Sequence, residues 1–177
     1  LVCLVGSEMC IRDRSKAAGY QGIELGPFGY MPLEAELVNT ATKDNGLVIC
    51  AGTLFEPLSS LEHKEDILNR THDLCSMLQR IGSKKLVVID CVNDVRSACA
   101  GLSDEAPRLG RQLWDIMMQT IRDIAAIARH YDIRPVVHPH AGGYIEYRDE
   151  IDRMLTDLSS EEVGLCLDTV SYTHLRA

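Results

Sequence analysis

The feature that most narrows what this chain can fold into is the lack of polar alternation in several of its short apolar runs. "GIEL" (Gly22 to Leu25), "LVICAGTLF" (Leu47 to Phe55), "KLVVID" (Lys85 to Asp90), "RPVVHPH" (Arg134 to His140) and "VGLCLD" (Val163 to Asp168) are short and rich in Val, Ile and Leu. A strand with one wet face alternates apolar and polar residues, whereas a strand of a parallel sheet buried on both faces has no such need. The segments between the runs carry the helical period instead. In Gln112 to His130, Leu113, Ile116, Met117, Ile121, Ile124, Ala125 and Ala128 recur at helical spacing, and Leu61 to Ile81 repeats the pattern with Ile67, Leu68, Leu74, Leu78 and Ile81. Strands alternating with helices predict an α/β fold of about five βα units, with Trp114 and the methionines as packing residues.

Such a sheet is either open or closed into a barrel. A nucleotide-binding open sheet depends on a glycine-rich turn after a strand, and neither GxGxxG nor GxxxxGK[ST] occurs in this chain. Polar groups mark the strand ends instead: Glu24 in the first run, Asp90 closing the third, His138 and His140 the fourth, and Asp168 the fifth. A (β/α)8 TIM barrel builds its site from the C-terminal ends of successive strands in this way. Five units are too few to close one, so the expected fold is a partial barrel, with side chains such as Val88 and Val137 filling its interior.

Composition limits the partners. The chain has 177 residues, 46% hydrophobic and 25% charged, enough for one packed domain, and a net charge of -8 without a basic run. Phosphate binding needs clustered Lys and Arg, so no nucleic-acid or anionic-membrane partner is expected, and small molecules or proteins are. No apolar stretch approaches the roughly 20 residues of a membrane helix. The seven cysteines form no CxxC pair, and several sit in apolar runs as small hydrophobes, which fits reduced thiols in the cytoplasm. Both ends, "LVCLVGSEMCIRDR" (1–14) and "VSYTHLRA" (170–177), resemble translated sequencing-adapter sequence. Residues 15–169 are therefore expected to be the native domain, a truncated barrel, with 1–14 and 170–177 non-native.

Three stretches carry a family resemblance. "AGYQGIELGPFGYMP", "VVHPHAGGYIEYRDEIDRML" and "VGLCLDT" resemble the sugar phosphate isomerase/epimerase superfamily of xylose isomerase-like TIM barrels, most closely its inosose dehydratase branch. The likeness runs over 15–169 and implies the second to sixth barrel strands. The family's second motif usually continues as Leu-Asp-Thr-Gly-His, whereas Val170 follows Thr169 here. By this match His138 and Asp168 are metal ligands, and the remaining two, a His and a Glu, belong on later strands. Mixed oxygen and imidazole ligands suit a divalent ion, Mn²⁺ or Co²⁺ before Mg²⁺ or Fe²⁺. The implied substrate is a sugar or keto-cyclitol such as 2-keto-myo-inositol. Its ketone and a neighbouring hydroxyl would be held while a base removes the α-proton. Expelling a β-hydroxyl then gives dehydration; returning the proton gives isomerisation or epimerisation. A non-catalytic binding module on the same fold is the alternative. A homo-oligomer is compatible with all of these.

Each candidate has a plainer reading beside it. His138 is a ligand or a satisfied strand-end histidine, and His140 a second ligand or a substrate-facing catalytic group. Asp168 is a ligand or a helix N-cap. Glu146 is an acid/base residue or simply the start of a helix at "YRDE". Glu24, a carboxylate in an apolar run, is a catalytic group facing inward or an edge residue, since burying it unpaired is costly. Asp90 and Arg96 are weaker candidates of the same kind. Gly142 and Gly143 need no chemical role, because a tight turn beside a ligand already calls for residues without Cβ.

Overall fold

The computed structural model describes residues 14–27, Gly29, 34–43 and 46–168. Apart from Arg14, the two ends set apart by the sequence lie outside the described residues. The elements run β1 (Gly22–Pro27), α1 (Ala35–Lys43), β2 (Val48–Glu56), α2 (Lys64–Ile81), β3 (Lys85–Asp90), α3 (Asp94–Ser97), α4 (Arg111–His130), β4 (Arg134–Val137), α5 (Arg148–Asp157) and β5 (Gly164–Leu165). The five strands form one sheet in the order β1-β2-β3-β4-β5, and every neighbouring pair is parallel.

Sequential order without reversal is the pattern of a barrel wall; a doubly wound sheet reverses its order where its helices change sides. The packing agrees. One sheet face, with Leu54, Leu86, Val88 and Val137, joins the helix residues Leu74, Leu78, Trp114, Met117, Ile121 and Ile124 in the main core. The other face gathers Ala51, Val87 and Ile89, with Phe55, Val136 and Cys166 against them, and among the described residues no helix residue joins it. This second face is the inside of the barrel wall. Val88 and Val137 therefore face the helices, and the interior side chains are their neighbours Val87 and Val136. The reason is the apolar run itself: β3 is apolar on both faces, and a one-residue change of parity leaves no polar residue to betray it.

Helix α4 turns Trp114, Met117, Ile121, Ile124, Ala125 and Ala128 into the core, but Leu113 is 46% exposed, just past the edge of the packed stripe. Helix α2 presses on β2 at Gly52, where an added Cβ would lie 3.0 Å from Leu78 Cδ2 and 3.1 Å from Leu74 Cδ1. The same helix ends at Gly82, in the left-handed region at φ 79°, whose N–H closes the last turn onto Gln79 and Leu78 carbonyls. No helix among the described residues is long and apolar enough to cross a membrane. Cys50, Cys75, Cys91, Cys99 and Cys166 are free thiols.

Candidate functional site

Strand β4 stops at Val137, earlier than the apolar run suggests, because Pro139 has no N–H to continue the ladder. The last ladder bonds run from His138 N–H to the Val88 carbonyl at 2.9 Å and from Cys166 N–H to the Val137 carbonyl at 2.8 Å. They fix the backbone on either side of the His138 ring. That ring is 6% exposed, and its Nδ1 lies 3.4 Å from the Cys166 carbonyl. A carbonyl only accepts, so Nδ1 is the protonated nitrogen and Nε2 carries the lone pair. Nε2 lies 3.7 Å from Asp168 Oδ2. Burial lowers the pKa of His138, with a smaller contribution from His140, against the raising effects of the Cys166 carbonyl and the Asp168 charge. The lowered pKa keeps the Nε2 lone pair available.

His140 follows beyond the proline. Its N–H bonds the Ile145 carbonyl at 3.0 Å, and its Nδ1 meets the Ala141 carbonyl at 2.8 Å, which again assigns the proton to Nδ1 and leaves Nε2 as the remaining ring nitrogen. The His140 ring stands edge-on to His138, with centroids 5.5 Å apart, and edge-on to Phe55 at 5.9 Å. Both imidazoles are thus held by main-chain carbonyls at the same ring position.

His138, His140, Asp168 and Glu24 line one cavity of about 360 Å³ at the strand ends, whose other wall is Phe55, Val87 and Ile89 with Thr53. Glu24 is an exposed residue overall, yet it lines this cavity; desolvation first, and then the negative charge of Asp168, raises its pKa. The sequence candidates Glu24, His138, His140 and Asp168 therefore meet in one place.

Glu146 is not brought there. It is 1% exposed, and its two oxygens accept the N–H groups of Gly101 and Gly142, each at 2.8 Å. The Arg96 guanidinium lies 3.5 Å away. Arg96 itself is fully buried between the rings of Tyr144 and Tyr147; it donates to the carbonyls of Gly143 and Pro107 and to Glu150 Oε2 at 2.9 Å. Glu150 Oε2 also takes the N–H groups of Glu146 and Tyr147, starting α5 as the plainer reading of "YRDE" has it. Asp90 points to the same side: its oxygens accept Leu58 N–H at 3.2 Å and Tyr144 N–H at 2.8 Å. These groups brace the 138–147 segment and do not line the cavity. Gly142, at φ +86°, and Gly143, where a Cβ would lie 2.8 Å from the Asp90 carbonyl oxygen, complete the brace. Sequence reasoning missed Glu150, Phe55 and Thr53, which look like ordinary helix and strand residues.

The metal reading can be tested against this geometry. Among the described residues no group of three or more His, Cys, Asp or Glu is placed to hold an ion. His138 Nε2 and Asp168 Oδ2 do fit as two ligands of one site: tetrahedral bonds of about 2.1 Å put neighbouring donors about 3.4 Å apart, close to the 3.7 Å found. The anchored Nδ1–H is the outer contact that metal-bound histidines use to fix ring and tautomer.

The family model described as xylose isomerase-like TIM barrel matches residues 13–174. Inosose dehydratase of Bacillus velezensis is 26% identical over 152 residues, which is 86% of this chain and 50% of the relative. The chain spans about half the length of the curated relatives it matches. A xylose isomerase-like TIM barrel protein from Mycobacterium smegmatis, in complex with magnesium, superposes with a TM-score of 0.69 at 17% identity, covering 97% of this chain and 59% of that one. The IOLI protein with a bound zinc atom gives 0.69 at 12% identity, covering 96% and 59%. Parallel strands in sequential order, one helix-covered face and a match over nearly the whole length agree: the chain belongs to the xylose isomerase-like TIM barrel family.

Proposed function

We propose that residues 15–169 supply the second to sixth units of a cytoplasmic, divalent-metal-dependent enzyme acting on a sugar or keto-cyclitol, with dehydration of 2-keto-myo-inositol as the reaction. The observation that carries this is the His138–Asp168 pair, 3.7 Å apart in a cavity shared with His140 and Glu24. The inosose dehydratase relatives support the choice of reaction.

His138 Nε2 and an Asp168 oxygen hold the ion, Mn²⁺ or Co²⁺ by the mixed donor set. When bound, it supplies Lewis-acid polarisation of the substrate ketone. His140 accepts at Nε2 the proton from the carbon beside the ketone, and its Nδ1–H bond to the Ala141 carbonyl steadies the imidazolium that forms. Glu24, whose raised pKa favours the protonated carboxyl, gives its proton to the β-hydroxyl, and the C–O bond breaks to release water. Glu146 has no part in these steps; it braces the segment that carries His140.

The test is turnover of 2-keto-myo-inositol by the complete barrel carrying this segment, followed with and without a chelator. Loss of activity on chelation and in His138→Ala or Asp168→Ala is expected. Undiminished activity in both variants and in chelator overturns the metal mechanism, and epimerisation without loss of water overturns the choice of reaction.

A further inference from the structure

Thr53 is a hydroxyl-bearing residue of the cavity that the reaction above leaves unused. It pairs with Val87 across β2 and β3, one rung deeper than Phe55 and Ile89, or about 6.6 Å along the strand. Its inward neighbours Ala51, Val87 and Ile89 are apolar. Thr53 is 3% exposed, and its hydroxyl oxygen is buried without a hydrogen-bond partner among the described residues. The helical threonines behave differently: Thr40, Thr42, Thr71, Thr120 and Thr156 each donate to the carbonyl four residues earlier. A strand offers no such carbonyl, so at this position the hydroxyl costs stability, and valine, of the same shape, would not.

We infer that Thr53 is a ligand-binding residue, whose hydroxyl hydrogen-bonds a ring hydroxyl of a polyhydroxylated ketone at the cavity floor. This rests on the reading of the cavity as a sugar or cyclitol site. The side chain lines that cavity, and a turn of about 120° about χ1 carries the hydroxyl into the staggered well that the methyl now occupies, the methyl moving to that of the β-hydrogen. The hydroxyl is then the polar group on an otherwise apolar floor. A site built to pair a ligand hydroxyl rejects the analogue that lacks it far more strongly than an apolar floor rejects an extra methylene, so Thr53 selects hydroxylated rings.

The experiment compares wild type, Thr53→Val and Thr53→Ser in the complete metal-loaded protein, with 2-keto-myo-inositol as the probe and thermal midpoint, Kd, KM and kcat as readouts. Thr53→Val is expected to melt at the same or a higher temperature, while Kd and KM rise roughly 10-fold and kcat changes less. Thr53→Ser stays near wild type. Unchanged Kd and KM in Thr53→Val overturn the inference while leaving the proposed function standing. A lowered melting temperature in Thr53→Val also overturns it, because the hydroxyl then has a structural partner. Wild type that neither binds nor converts the probe overturns the proposed function, and the inference falls with it.

Discussion

His138 turns its Nε2 to Asp168 Oδ2 at 3.7 Å while its Nδ1 is tied to the carbonyl of Cys166, the residue just past β5 and two before that aspartate. The two side chains are thereby oriented by one local arrangement of β4 and β5. If they are ligands, each removal should lower Mn²⁺ affinity by roughly 10-fold or more, since one of few charged or imidazole donors is lost. Mn²⁺ titration followed by electron paramagnetic resonance checks this without any assay of turnover. Equal affinity in wild type, His138→Ala and Asp168→Ala would place the ion elsewhere.

The Arg96 brace makes a different prediction. Arg96 is buried against Glu146 and Glu150 and between two tyrosine rings, so Arg96→Met leaves Glu146 buried without its cation and Glu150 with only Arg108, 3.5 Å from its other oxygen. A loss of about 3–5 kcal/mol in urea unfolding is expected. Glu146→Gln keeps one acceptor oxygen for the Gly101 and Gly142 N–H groups and should cost less, about 1–2 kcal/mol. A Glu146→Gln variant of unchanged stability but abolished turnover would return Glu146 to the chemistry.

These two clusters differ in how far the sequence reveals them. Glu24, His138, His140 and Asp168 stand out because each interrupts or ends an apolar run, and parallel strands deliver such ends to one rim. Strand β3 was readable residue for residue, Lys85 to Asp90, yet which of its faces looks inward was not, since Val87 and Val88 are equally apolar. The Arg96 brace joins residues 47 to 54 positions apart, and no local period encodes it. Thr53 hides for the opposite reason: a β-branched residue in "LVICAGTLF" is what any strand would hold.

The turn at Gly143 can be tested by adding a single methyl group. A Cβ there would sit 2.8 Å from the Asp90 carbonyl oxygen, a backbone atom that cannot swing aside, and 3.4 Å from the His140 carbonyl oxygen. Gly143→Ala should therefore destabilise by about 1–3 kcal/mol and shift the segment carrying His140. Denaturant unfolding reads the first effect, and the His140 ring signals in NMR spectra read the second. A variant with wild-type stability and unmoved His140 signals would show that the turn is looser than its contacts imply.

Asp90 sets a pH dependence whose sign can be worked out. Desolvation by burial raises its pKa from the ordinary 3.8 to about 6, against the lowering effects of the Tyr144 and Leu58 N–H groups and of Arg96. Well below pH 3.8 the carboxyl is protonated in the folded and unfolded chain alike, and well above pH 6 it is ionised in both. In between, the folded chain holds a proton that the unfolded chain has released, so stability falls as pH rises through the window. A difference of 2.2 between the two values corresponds to about 3 kcal/mol in all, lost progressively between about pH 3 and pH 7. Asp90→Asn cannot titrate, and its amide cannot accept from both Leu58 and Tyr144, so it is less stable than wild type at low pH, with the gap narrowing as pH approaches 6. Urea unfolding of both proteins at pH 4, 5, 6 and 7 gives the comparison. A constant gap across that range would mean that Asp90 is ionised in the fold throughout, and that its two N–H partners and Arg96 outweigh its burial.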